Sequence, residues 1–391
     1  MTTSTAIKQN ETTAANATRF PADFGGIKLE YIRKRATIAK LFHLEDLAKE
    51  YPSLNLHVPV RIYYVAGTNT QFEHPLVPVI NPNYRFDIWD LSVLLPYFVS
   101  CKGFPPYIYG LHGTGKSSLI EQIHARLGLP KMNVILGEDS EVIDLGGQML
   151  PTEAGGMRFF DGLLVQTMRN GWTLQIDEYD LLPTRQQKML NEVLENRRFT
   201  IEVTGEQVKA HPDWRCTVTA NTNNTGGGSH MFVKSGSGDA SVNERFQFLE
   251  KQYLQEEEEF KILEAEAKML LAAHPKVLKN PDLTDQLMLG VSEIIRQILK
   301  VADLIRNAYK LSLDANNSNS GVALNCTMST RAAREWLRST IDLSIFFDGA
   351  KGSVMMELTR RAFCITFVKG VDEEEQADVL QIFDDAIGTN V

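Results

Sequence analysis

The sequence predicts an α/β fold, a parallel sheet covered by helices, followed by an all-helical domain. Three observations carry that expectation. Short apolar runs alternate with amphipathic stretches from about Leu91 to Tyr253, the rhythm of a parallel sheet with helical crossovers. A glycine-rich loop, GLHGTGKSS from Gly110, joins one of those runs to a helical pattern. Beyond residue 254 the apolar spacing is helical throughout.

Taken in order, the first 20 residues are Thr-, Ala- and Asn-rich with little to bury, and are expected to form a disordered tail. Residues 21–90 mix apolar and polar runs with several prolines; HVPVRIYYVAG reads as one strand, and no chemistry attaches to the region. Residues 91–253 form the α/β nucleotide-binding domain, with candidate strands PYIYG, KMNVILG, WTLQIDE, RCTVTAN and FQFLEKQY. Residues 254–391 form a helical lid domain, with helical patterns over about 256–273, 283–312, 329–347, 352–368 and 372–387 and a polar break at DANNSNSG. The EEEE run, Glu256 to Glu259, reads as a solvated helix start, where acids suit the dipole. Trp172 and Trp214 read as packing residues.

Composition excludes several classes. With 391 residues, 43% hydrophobic and 23% charged, the chain can bury a sizeable core. A net charge of -9 argues against a mainly electrostatic grip on nucleic acid. Cys101, Cys216, Cys326 and Cys364 lie far apart without CxxC or Cys/His clustering, which suggests neither a disulfide framework nor a zinc site and fits a reducing cytoplasm. No apolar run approaches the roughly 18 residues that a membrane span needs, and no signal-peptide pattern opens the chain.

The chemistry gathers around the loop. Tyr107, Ile108 and Tyr109 precede it as a strand, and Leu119, Ile120, Ile123 and Leu127 fall on one face of the helix that follows. Glycines at 110, 113 and 115 let backbone N–H groups turn inward around phosphate oxygens, and the helix N-terminus adds its positive end. Lys116 reaches the β- and γ-phosphates of ATP, and the Ser117 hydroxyl ligates Mg²⁺. The candidate nucleotide set is Gly110, His112, Gly113, Thr114, Gly115, Lys116, Ser117 and Ser118, with the His112 side chain read as packing or facing solvent.

Sixty residues on, WTLQIDEYD runs an apolar strand into adjacent acids. That is a costly end for a buried strand unless a cation is met there. Asp177 is the candidate metal ligand and Glu178 the group that polarises water, set against a plain acidic turn. RCTVTANTNN ends in Asn221, a candidate for holding the hydrolytic water or sensing the γ-phosphate, set against a turn-forming Asn. Arg245 precedes the last strand, from where it could face a neighbouring subunit's nucleotide; a plain surface arginine is the alternative. MSTRAAREWLR starts a helix with Ser329 or Thr330 as N-cap and projects Arg331, which could close on ATP; a structural salt bridge is the alternative, and Arg334 a weaker substitute.

In that order, the phosphate loop, paired acids, strand-end Asn, Arg before the fifth strand and Arg in a helical lid resemble an AAA+ P-loop ATPase, an αβα sandwich with a helical lid. MNVILGEDSEVIDLGGQMLPTEAGGMRFFDGLLVQTMRNGWTLQIDEYD is similar to the MoxR and chelatase branch, and DEYD, HPDWR with TANTNNTGGG, and RRAFCITFVKGVDEEEQADVLQIF resemble the CobS family of cobaltochelatase AAA+ subunits. The resemblance covers about Leu91 to Gly388. It implies a homo-oligomer, a hexameric ring with ATP between neighbours, working with a CobT-like partner that carries a von Willebrand A (VWA) domain. It also implies nucleotide binding by Gly113, Gly115, Lys116 and Ser117, magnesium and hydrolysis at Asp177 and Glu178, sensor 1 at Asn221, a trans-acting finger at Arg245 and sensor 2 at Arg331. The loop from about Leu150 to Phe160 and the hairpin RRFTIEVTGEQVKAHPDWR are then expected to line the pore or upper face. Two other classes stand beside it: a nucleic-acid motor, against which the acidic charge weighs, and a non-hydrolysing scaffold, against which the intact site set weighs.

Overall fold

The computed structural model describes residues 18–136, 141–153, 155–224, 240–274, 283–313, 323–347 and 353–387. Most of the expected N-terminal tail, the DANNSNSG break and the Gly/Ser-rich stretch after Asn224 lie outside them. The chain forms two compact units: one holds residues up to Tyr109 and those from Lys116 to Glu250 that flank the second unit's insertion, the other Gly110–Gly115 and the chain from Lys251.

The first unit opens on β1 (Phe20–Pro21), β2 (Leu29–Thr37), α1 (Ile38–Phe42), β3 (His57–Val65) and β4 (Gln71–Phe72); the four strands make an antiparallel sheet in chain order. β2 and β3 pair along their full length, from Leu29 opposite Val65 to Thr37 opposite His57. Only β3 was legible beforehand, because Arg33, Lys34 and Arg35 break the apolar alternation of β2. Asp213 explains part of that charge: it accepts from the Tyr31 hydroxyl and pairs with Arg33 at 3.0 Å and Arg61 at 2.9 Å. The Tyr63 hydroxyl donates to the Gly128 carbonyl at 3.1 Å. These bonds fasten the sheet to the α/β layer of the same unit.

Next comes α2 (Ile88–Ser100), which begins before Leu91; its N-cap Asp87 accepts from the Trp89 and Asp90 amides. Then follow β5 (Pro106–Tyr109), α3 (Lys116–Leu127), β6 (Lys131–Ile135), the hairpin β7 (Gly147–Pro151) with β8 (Met157–Asp161), α4 (Leu163–Asn170) and β9 (Thr173–Asp177). After these come α5 (Thr184–Asn196), the hairpin β10 (Arg198–Ile201) with β11 (Glu206–Lys209), β12 (Arg215–Ala220), α6 (Ala240–Asn243) and β13 (Gln247–Glu250). All five strands expected for the parallel sheet are present, in the order β13-β5-β12-β9-β6. β5 lies between β13 and β12 and its chain neighbour β6 lies at the far edge, so the loop after β5 opens where the strand order reverses. Ligands of open α/β sheets collect at that crevice.

Both faces of the sheet are covered. Ile108 packs on one side with Leu119, Ile120 and Ile123 of α3 and Leu94 and Phe98 of α2, while Tyr107 packs on the other with Tyr179, Val218 and Phe246. Burying each such aliphatic side chain contributes about 1.5–3 kcal/mol. α3 also buries His124, whose ring nitrogens meet the Ile120 carbonyl and the Thr173 hydroxyl, each at 2.8 Å. Burial drives its pKa down to about 3, so the imidazole is neutral and ties α3 to β9.

The second unit gathers α7 (Glu256–Ala272), α8 (Leu283–Leu313), α9 (Thr330–Phe346), α10 (Ser353–Thr366) and α11 (Glu373–Ile387), each within two residues of its sequence pattern. Its core stacks Trp336 on Phe363 at 4.5 Å and Phe363 on Phe383 at 5.2 Å between ring centres. The buried Trp336 indole N–H donates to the Thr359 carbonyl at 2.9 Å. The acidic start of α7 departs from expectation at one position: Glu259 is buried and bonded bidentately to Arg306, both bonds 2.8 Å. Among the described residues no helix is long and apolar enough to cross a membrane.

Candidate active site

The candidate nucleotide-binding residues begin in the glycine loop. Gly113 and Gly115 take φ of +72° and +89°, a region closed to most side chains. A Cβ at 113 would fall 2.0 Å from the Ser329 Cβ, whereas one at 115 would meet nothing within 4 Å. Crowding therefore requires glycine at 113, and backbone geometry requires it at 115, where the space in front of the loop stays open. Ser117 and Ser118 follow in the first turn of α3; His112 is exposed and Thr114 buried, its hydroxyl donating to the Leu111 carbonyl at 2.9 Å.

In the α/β unit, Lys116, Ser117, Asp177 and Asn221 come together at the C-terminal ends of β9 and β12. The Lys116 ammonium donates to Asn221 Oδ1 at 3.1 Å. Asp177 Oδ1 accepts from Thr219 Oγ1 at 2.7 Å, Gln175 Nε2 at 2.8 Å and, more weakly, Ser117 Oγ at 3.4 Å. Burial lowers Lys116 to about 8, while the carboxylates of Asp180, Asp177 and Glu178 oppose the fall. A cation held at a cost in a half-buried place is primed for an anionic ligand.

Glu178 sits just past β9 in the left-handed region, φ 58°, a conformation that costs a non-glycine residue energy and that clusters at functional sites. Its carboxylate makes no hydrogen bond among the described residues. Ser117 and Asp177 set a hydroxyl and a carboxylate oxygen against each other, the hard donors that suit magnesium, and the half-buried Lys116 beside them suits a triphosphate. The residues present fit both groups.

Two predicted arginines stand apart from this cluster. Arg245 bonds the Ser241 carbonyl and pairs with Glu195 at 3.3 Å, so its guanidinium is engaged on α5 and α6 and not on the acids. In the helical unit, Ser329 caps α9 by accepting from the Ala332 amide at 3.1 Å. That cap leaves Arg331 exposed, with no ion pair among the described residues, whereas Arg334 pairs with Glu266, its Nε at 3.0 Å.

Sequence reasoning missed Asp180. It is buried, and its Oδ2 accepts from the Asn221 and Thr222 amides and the Thr222 hydroxyl, fixing the strand end that carries Asn221. The available signal was the second aspartate of DEYD, three residues after Asp177. Thr219 and Gln175, which hold Asp177, gave none, because polar residues inside a strand look like ordinary surface positions.

A phosphate loop after β5, an acid pair ending its next-but-one neighbour β9 and an asparagine ending β12 between them define an ATP hydrolase domain of the AAA class. Residues 107–235 match the model of the AAA domain (dynein-related subfamily). Over a longer stretch the chain is similar to aerobic cobaltochelatase subunit CobS of Sinorhizobium sp, 27% identical over 317 residues that make up 80% of this chain and 83% of that one. It is also similar to protein CbbQ of Hydrogenophilus thermoluteolus, 32% identical over 30% of this chain and 44% of that one. Denitrification regulatory protein NirQ of Stutzerimonas stutzeri is 31% identical over 45% of this chain and 62% of its own. The chain thus spans less than two thirds of the last two.

Proposed function

We propose that this AAA ATPase assembles into a ring in the cytoplasm, with nucleotide between neighbouring subunits, and uses magnesium-dependent hydrolysis of ATP to remodel a partner protein. The observation that most supports it is the hydrogen-bonded set of Lys116, Asn221, Asp177 and Ser117 at the strand ends. In this reading Lys116 holds the phosphates and Glu178 takes the proton of the attacking water as the terminal phosphorus–oxygen bond breaks and ADP leaves with the electron pair. Magnesium, held by Ser117 and Asp177, would neutralise charge on the phosphate oxygens. Asn221 orients the water, and Arg331 closes from α9.

Arg245 then serves the neighbour's nucleotide. Its pair with Glu195 is partly exposed, with side chains 27% and 57% accessible, so releasing that ion pair costs about 1 kcal/mol. The hairpin β7–β8 supports a client-facing role, since Met149, Leu150, Met157 and Phe160 lie exposed on it; with β10–β11 we place it along the pore or upper face. Similarity to a chelatase subunit favours a client that is another subunit of a multi-protein enzyme, with a VWA-domain protein as the partner class.

Mixing two inactive variants, Lys116→Ala and Arg245→Ala, tests the shared site. Mixed rings contain some interfaces with both residues intact, so part of the ATPase activity is expected to return. No recovery at any ratio contradicts a site shared between neighbours.

A further inference from the structure

We propose that Tyr253 is a positioning residue that locks the phosphate loop to the start of the lid helix α9, so that nucleotide seated in the loop also orders the turn bearing Arg331. The inference rests on the ATPase reading above. Within the helical unit the Tyr253 hydroxyl lies 2.7 Å from the His112 carbonyl, in the middle of the phosphate loop, and 3.2 Å from the Thr327 hydroxyl. A carbonyl only accepts, so the single phenol proton goes to His112 and Thr327 donates to the phenol oxygen.

The ring is held as firmly as the hydroxyl. The Arg306 guanidinium lies over it, 4.2 Å from the centroid, in cation–π contact. That guanidinium is itself fixed: two bonds of 2.8 Å run to Glu259 and a third, of 2.7 Å, to the Met328 carbonyl. Met328 immediately precedes Ser329, the N-cap of α9. The same Ser329 packs so closely on Gly113 that a Cβ there would fall 2.0 Å from its own Cβ.

Two contacts therefore join loop to helix start, one polar through Tyr253 and one steric through Gly113. The polar contact is made to a loop carbonyl, whereas phosphate oxygens call on N–H donors. Loss of the first leaves the loop free to shift against α9 while every ligating group remains. Burial of the phenol among these groups raises its pKa, so the proton it donates is retained at neutral pH.

Tyr253→Phe keeps the ring over Arg306 and removes only the hydroxyl. In the full-length chain its KM for ATP and Kd for ADP are expected to rise about two- to tenfold, the range one hydrogen bond spans, with a smaller change in kcat and an unchanged Tm without nucleotide. Thr327→Val should move the same constants in the same direction and Thr327→Ser should restore them. Hydrogen exchange supplies a readout that a merely structural tyrosine would not move: nucleotide-induced protection of the Ala332 and Ala333 amides falls in Tyr253→Phe, while that of β9 stays as in the wild type. If the wild type hydrolyses ATP and Tyr253→Phe matches it in KM and exchange, the proposal alone is overturned. A parallel loss of Tm and kcat at constant KM also overturns it. A wild type that hydrolyses no ATP overturns the ATPase reading together with this one.

Discussion

Glu178→Gln is expected to lower kcat for ATP hydrolysis by about 10²–10⁴, the usual contribution of a positioned general base, while leaving nucleotide affinity and fold unchanged. The structural reasons are specific. Glu178 makes no hydrogen bond among the described residues, so an isosteric amide leaves no partner stranded. Its left-handed backbone is imposed by the turn after β9 and is as accessible to Gln as to Glu. Asp177 one residue earlier keeps its three donors. Phosphate release and binding of a fluorescent nucleotide, measured on the same preparation, separate the two effects. Turnover at the wild-type rate would remove Glu178 from the reaction.

Lys116→Ala should have the opposite signature, abolishing nucleotide binding without destabilising the empty protein. Burial holds the ammonium near 8 rather than at the ordinary lysine value, which means the nucleotide-free fold bears a cost for that charge. Removing it relieves the cost and leaves Asn221 Oδ1 without its donor, a small net change. With ATP at a hundredfold excess over Kd the wild type gains about 2.7 kcal/mol from binding; the variant should gain none. The same residue gives a pH signature. The phosphates favour the charged lysine, so its pKa is higher in the bound state than in the free one, and binding takes up a proton once the free lysine deprotonates. Affinity should therefore be flat below about pH 8 and fall above it by up to about tenfold per pH unit. Thermal shifts with ADP across pH 6.5–9.5 check both statements, and a Lys116→Ala variant still stabilised by nucleotide would contradict them.

Much of this was legible in the sequence because the parallel strands are short apolar runs that end abruptly in glycine, acid or asparagine. PYIY before the loop, TLQID before Glu178 and RCTVTA before Asn221 each sit where that rule puts them. The helical unit was equally clear, since its five amphipathic stretches are long enough for the apolar spacing to repeat several times. β2 was not, because three consecutive cations mask a strand whose exposed Arg33 is paired by Asp213, about 180 residues away in sequence. The sequence ranked Arg331 above Arg334 by its place in the first turn of α9; what it did not show is Glu266, brought alongside on α7, which pairs with Arg334 while Arg331 stays exposed. Tyr253 and Asp180 fall in the same class. Their roles come from what the fold brings to them, and their immediate neighbours in the chain carry no mark of it.

The most direct measurement is phosphate release by the purified full-length chain supplied with ATP, followed as magnesium is titrated in and then withdrawn with a chelator. Release that rises with magnesium, stops on chelation and resumes on its return is the expected result. No release at any magnesium concentration, or release indifferent to the chelator, would contradict hydrolysis at the Lys116, Ser117 and Asp177 cluster.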